Sequence, residues 1–175
     1  NVEAYHMVFN DASMIRAFTF SLFLMALQLI LSMGATILGA YPLSKANLPG
    51  RRAMMIVIII TMYFSAGVIP SYILYKDLKL LNTIWVLLMP SLISAFNLII
   101  LRTFFSSINI SLYEAAYMDG CSEFRALWDI TIPLSKAAIM TLSMFYAVER
   151  WNTVSDLILF IQEPKLYTLQ YKLKL

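Results

Sequence analysis

The 175-residue sequence is poor in almost everything a water-soluble domain uses. Only 13% of its residues are charged and 61% are hydrophobic, against about 25% and 45–50% in soluble domains. A single cysteine, Cys121, excludes a disulfide scaffold. Five glycines and no GxxxxGK[ST] leave no loop to cradle nucleotide phosphates. The net charge of +3 and pI near 9.0 come without any run of five like charges, so nothing is built to grip a nucleic-acid backbone. HExxH, GxSxG and an aspartate pair within one apolar run are all missing, so no catalytic residue, metal ligand or cofactor is expected. His6 and Asp11 carry no site argument. There is no internal repeat and no low-complexity tract.

What is present is length without charge. Crossing a bilayer core takes roughly 20 apolar helical residues. Residues 17–44, 53–75 and 80–101 are each free of Asp, Glu, Lys and Arg. They lack the two-residue alternation of a membrane barrel, so helices are the spanning structure. Mean hydropathy is +0.75, and 3 Trp, 10 Tyr and 11 Phe supply interfacial aromatics. A fourth segment, 137–161, is apolar but carries Glu149, Arg150, Asn152 and Asp156. It reads either as a span facing protein or water on one side, or as a helix ending near Glu149 with the remainder on the membrane surface. The fold class is thus all-α, a polytopic helix bundle, with 1–175 as one domain.

The first connection holds Lys45, Arg51 and Arg52 between Pro42 and Pro49, the second is tight (Lys76 to Lys79), and the third runs over 102–136. Lysines and arginines divide evenly between the two sides, so the positive-inside rule favours the Lys45/Arg51/Arg52 side as cytoplasmic only by its local density.

The third connection reads as two short helices around a glycine. Ser111 and Glu114 fit a capping box, the helix through Asp119 stops at Gly120, and Ser122 caps a second helix with Glu123 in its first turn. Phe124, Leu127 and Trp128 form one apolar stripe, and Pro133 closes the unit. Such an element either docks a partner, with Ala115 and Ala116 allowing close approach and Glu114 and Asp119 accepting hydrogen bonds, or simply links two spans along the membrane surface.

The order Glu114-Ala115-Ala116, three residues, Gly120, nine residues, Ile130-Thr131-Ile132-Pro133 resembles the EAA loop of ABC-importer permeases, with Ile132 replacing the usual leucine. Ala40-Tyr41-Pro42-Leu43-Ser44-Lys45, Leu48-Pro49-Gly50-Arg51-Arg52 and Ser94-Ala95-Phe96-Asn97 extend the resemblance to the MetI-like superfamily, carbohydrate-uptake type, in its LplC-like subgroup. Ala137, Cys121 and the Glu149-Arg150 pair depart from that subgroup's pattern. The resemblance implies a fragment covering four of about six spans of a multi-pass protein of the bacterial plasma membrane, with a cytoplasmic 102–136 loop and both fragment ends outside. It implies as partners a second permease subunit, cytoplasmic ATPase subunits, an external solute-binding lipoprotein, membrane lipid and a carbohydrate substrate, with ATP hydrolysis on a separate subunit. Coupling to the ATPase would fall to Glu114, Ala115, Ala116, Asp119, Gly120, Ile130, Ile132 and Pro133.

Polar groups inside spans are costly and face the bundle interior. Glu149, Arg150, Trp151, Asn152 and Asp156 are therefore candidates for a substrate pathway, the polar groups bonding sugar hydroxyls and Trp151 stacking on a ring. Equally, Glu149 and Arg150 form structural ion pairs or reach outward. Gln28 and Asn97 are expected in interhelical hydrogen bonds, and Pro70 and Pro90 to kink their helices. Import of another polar solute, or a role as membrane scaffold or receptor, stands beside the sugar-permease reading.

Overall fold

A computed structural model describes residues 12–64 and 66–174; His6 and Asp11 lie outside the described residues. Their regular structure is all helical, with no strand among them. The helices are α1 (Ala12–Ser44), α2 (Arg51–Tyr63), α3 (Val68–Asp77), α4 (Ile84–Leu88), α5 (Ala95–Ser106), α6 (Ile110–Met118), α7 (Glu123–Ala126), α8 (Ile132–Leu134), α9 (Lys136–Asn152), α10 (Ser155–Phe160) and α11 (Leu169–Lys172). By length and composition one helix, α1, suffices to cross a membrane among the described residues, or up to four segments do if each bent helix pair counts as one span.

α1 is built in the reverse sense of a water-soluble helix. It buries Ser21, Gln28, Ser32 and Thr36, spaced to fall on one stripe, and exposes Ile15, Phe23, Ile30 and Leu38. Large apolar side chains face outward while four polar ones are buried among apolar neighbours such as Leu24 and Met33, an arrangement that suits hydrocarbon surroundings.

The other apolar intervals are broken, and proline explains two of the breaks. The interval 53–75 is split before α3, because Pro70 has no N–H and is tolerated only in a first helical turn. Gly67, with φ of +82°, begins that turn. The interval 80–101 starts as helix only at Ile84. Pro90 turns the end of α4 into a 3₁₀ stretch, Met89–Ser91, and Ser94 then starts α5 by accepting Asn97 N–H at 3.4 Å. Both prolines therefore end or begin helices instead of bending continuous ones. The interval 137–161 contains α9, which stops at Asn152. Asn152 Nδ2 donates to the Val148 carbonyl (2.8 Å) and Thr153 Oγ1 to the Glu149 carbonyl (2.7 Å), side-chain competition that unwinds a helix end.

The chain forms two compact units. The first comprises the described residues of Asn1–Ile30, Ala66–Leu92 and Tyr146–Leu175. Its core is Leu24, Val86, Leu87, Leu88, Tyr146 and Leu157, with α4 packed on α10. The Ser91 carbonyl, freed at the Pro90 break, accepts Gln28 Nε2 at 2.9 Å, the interhelical bond expected of that glutamine. Asn82, in the left-handed region, exchanges hydrogen bonds with the Phe160 carbonyl (3.1 Å) and the Gln162 N–H (2.6 Å).

The second unit comprises the described residues of Leu31–Ser65 and Ile93–Phe145. Its core is Ala40, Leu43, Leu98, Leu101, Phe105, Ala126 and Leu142, with α2 against α5. A Cβ at Gly39 would stand 3.2 Å from Leu98 Cδ1, so the missing side chain is what lets α1 and α5 approach. Asn97 is buried in the first turn of α5.

Candidate coupling site

Residues 109–135 fold as helix, turn and helix, but the first cap is not the expected one. Asn109 is the N-cap of α6, its Oδ1 accepting Ser111 N–H at 3.1 Å. Ser111 lies inside the first turn, so the Ser111/Glu114 capping box does not form. Asn109 has the extended backbone (φ −60°, ψ 127°) that a cap requires.

The stop does form at Gly120. Its φ is +78°, its N–H reaches the Tyr117 carbonyl (3.0 Å), and Cys121 N–H reaches the Ala116 carbonyl (2.9 Å). These are the two bonds of a Schellman motif, and the left-handed residue between them favours glycine. Ser122 then caps α7 by accepting Arg125 N–H at 3.4 Å. The second helix widens into a π turn, Leu127–Thr131, before α8. Pro133 does not close it; the helical path runs on to Leu134 and then turns by 82° into α9. The widened turn also breaks the 3.6-residue register. Leu127 is 3% exposed, whereas Phe124 and Trp128 are 65% and 58% exposed, so the three do not form one buried stripe.

Among the expected coupling residues, Glu114, Ala115, Asp119, Gly120 and Pro133 are exposed and Ala116, Ile130 and Ile132 half-buried. The Glu114 carboxylate has no hydrogen-bond or ion-pair partner among the described residues. Met118 beside it is 89% exposed.

What holds this segment is a set of residues not among the expected coupling residues. Tyr113, 7% exposed, places its hydroxyl 2.8 Å from Thr131 Oγ1, which donates to the Ala126 carbonyl at 3.2 Å. Thr131, fully buried, thus ties the second helix to α6. Just past the end of α1, the Lys45 ammonium lies 3.6 Å from the Tyr113 ring centroid, 4.7 Å from that of Tyr41 and 5.6 Å from that of Tyr117. It donates to Tyr117 Oη at 3.1 Å and pairs with Glu123 at 3.6 Å. Tyr41 Oη donates to the Glu123 carboxylate at 2.7 Å. From α5, Arg102 Nε reaches the Leu43 carbonyl (3.1 Å) and Ser106 Oγ the Ser44 carbonyl (3.3 Å). The last orphan carbonyls of α1 are thereby satisfied by side chains. The signal in the sequence was a pair of i, i+4 spacings, Tyr113/Tyr117 on one face of α6 and Tyr41/Lys45 across the end of α1.

The electrostatics follow. Burial lowers the Lys45 ammonium below its ordinary value, with Glu123 opposing it. Burial pushes the Glu123 carboxyl up, but hydrogen bonds from Tyr41 and Tyr117 and the charge of Lys45 outweigh that and hold it low. The Tyr117 phenol is pushed up to about 12 by burial and by its hydrogen bond to Glu123. At neutral pH the cluster is one ammonium, one carboxylate and neutral phenols.

In the other unit, the structure brings together two of the expected pathway residues. Arg150, 5% exposed, donates Nη1 to the Leu87 carbonyl at 2.6 Å and lies 3.6 Å from Asp156. Its Nε and Nη2 are buried without partners among the described residues. Glu149 and Asn152 are exposed. Trp151 meets Phe18 edge to face, centroids 6.3 Å apart. A cavity of about 430 Å³ in this unit is lined by Arg16, Lys165, Tyr167 and Lys172 and none of these five residues.

The family described as binding-protein-dependent transport system inner membrane component matches residues 32–172. The chain belongs to this family. Among similar members, the polygalacturonan/rhamnogalacturonan transport system permease protein YtcP of Bacillus subtilis (strain 168) is 38% identical over 174 residues, 99% of this chain and 61% of that protein. Protein LplC of the same organism is 38% identical over 173 residues, 99% of this chain and 59% of that protein. A chain in the crystal structure of a bacterial ABC transporter involved in import of the acidic polysaccharide alginate superposes with a TM-score of 0.94 at 34% identity, covering 98% of this chain and 61% of its own length. The chain thus spans about three-fifths of the length of these relatives. This inner-membrane family agrees with the outward-facing apolar residues of α1, and YtcP is by name a transport system permease protein.

Proposed function

We propose that the full-length protein is the membrane-spanning permease subunit of an ATP-driven importer for oligosaccharides. The observation that carries the reading is the 109–135 segment: a doubly capped helical elbow that exposes the unpartnered Glu114 beside Met118 while its inner face is clasped to α1. An exposed carboxylate on a stiff elbow suits a docking contact with the arginines or lysines of a cytoplasmic ATPase. Glu114, Ala115, Ala116, Asp119 and Gly120 form that contact; Ile130, Ile132 and Pro133 carry the elbow toward α9. A second permease subunit and an external binding lipoprotein complete the assembly.

The pathway reading rests on the first unit. Arg150 offers two buried nitrogens, Nε and Nη2, without partners among the described residues, donors suited to sugar hydroxyls or carboxylates, while Asp156 balances its charge. Glu149 and Asn152 line the exposed side and Trp151 supplies a ring face. The polysaccharides named for YtcP and for the alginate importer support the same substrate class.

The test is affinity purification of the full-length protein from its native membranes. The wild type should retain an ATPase subunit carrying GxxxxGK[ST], and Glu114→Ala should lose it while still reaching the membrane. A wild type that retains no ATPase would favour the scaffold or receptor reading; ATPase retention with uptake of a polar solute other than a sugar would replace the substrate class.

A further inference from the structure

The Lys45 cluster does more than cap a helix. The ammonium has given up much of its water for two aromatic faces, those of Tyr41 and Tyr113, the Tyr117 hydroxyl and the Glu123 carboxylate, and desolvation strengthens its contacts with the two rings. The partners come from three elements: Tyr41 from the last turn of α1, Tyr113 and Tyr117 from α6, and Glu123 from α7. One charge, just past the end of α1, therefore grips both short helices on either side of the Gly120 turn. The rest of the elbow meets α1 through the neighbouring Tyr41 to Glu123 bond, and α5 holds the same end through Arg102 and Ser106.

We propose that Lys45 is the positioning residue that passes movement of the 109–135 elbow to α1, so that displacement of either short helix draws the cytoplasmic end of the first span with it. The inference rests on the reading of the elbow as the ATPase contact. The cation is the part of the linkage that hydrophobic packing cannot replace: an uncharged side chain of similar length fills the cage but neither pairs with Glu123 nor interacts electrostatically with the rings. Arginine retains both abilities.

The experiment uses the complete transporter in lipid nanodiscs, with the full-length chain, its permease partner, ATPase and binding protein. The readout is substrate transported per ATP hydrolysed, a ratio that loss of folded protein does not alter because both rates fall together. Lys45→Met should lower this ratio about tenfold, as expected for a lost coupling free energy of ordinary size, and Lys45→Arg should keep it within about twofold of wild type. An unchanged ratio in Lys45→Met, or a Lys45→Arg ratio as low as that of Lys45→Met, overturns the assignment while wild-type uptake leaves the functional reading intact. A wild-type chain that assembles with no ATPase overturns the functional reading and this assignment with it.

Discussion

The hydroxyl of Tyr41 lies 2.7 Å from the carboxylate of Glu123, joining the last turn of the first long helix to the second helix of the elbow across 82 residues of chain. Because this bond and the Lys45 charge stabilise the ionised carboxyl, Glu123 titrates below its ordinary value of 4.5. A carboxyl held low in the folded state contributes stability above its unfolded value, and that contribution is lost as pH falls through the folded one. Thermal unfolding of the wild type should therefore shift to lower temperature below about pH 4.5 more steeply than that of Glu123→Gln. Parallel acid profiles for the two proteins would show that the carboxylate contributes nothing.

The cap of α6 separates two residues that look equally suitable in the sequence. Asn109→Ala should cost about 1 kcal/mol, read from melting or denaturant midpoints, and Ser111→Ala close to nothing. The opposite ranking would restore the Ser111/Glu114 box.

Gly120 should tolerate no residue with a fixed negative φ. Its φ is +78° and its N–H is bonded to Tyr117, whereas proline holds φ near −65° and has no N–H. Gly120→Pro should insert into the membrane at normal yield and lose uptake. Unchanged uptake would show that the turn is not needed for coupling.

Arg150 and Asp156 should behave as a buried pair. Removing the arginine alone leaves a carboxylate that is largely buried, and such truncations cost about 3–5 kcal/mol. Arg150→Met should therefore melt well below the double variant Arg150→Met/Asp156→Leu. Equal melting of the two would show that the pair is not coupled.

Much of this architecture was legible in the sequence, because expelling charge from hydrocarbon dominates every other term in a membrane helix. The charge-free intervals mark where α1 to α5 lie, and glycine with its neighbours marks the elbow's turn. The interruptions were less visible. Pro70 and Pro90 could be seen, but whether a proline bends a helix or ends it depends on what satisfies the nearby carbonyls, and at Pro90 Gln28 and Arg150 do so from more than 60 residues away. Asn109 and Ser111 are both good caps, two positions apart; only the backbone angles choose between them. The π turn shifted Trp128 off the expected face, and nothing local announces such a turn. The tyrosines around Lys45 were visible as two spaced pairs, but their meeting is a long-range event that neither pair specifies alone.

The most direct test of the central claim is the sidedness of Met118, the most exposed residue beside Glu114. In the full-length protein, with Met118→Cys and other cysteines replaced, a membrane-impermeant maleimide should label from the cytoplasmic face only, and bound ATPase should block it. Labelling from the outer face, or labelling unaffected by the ATPase, would contradict the account.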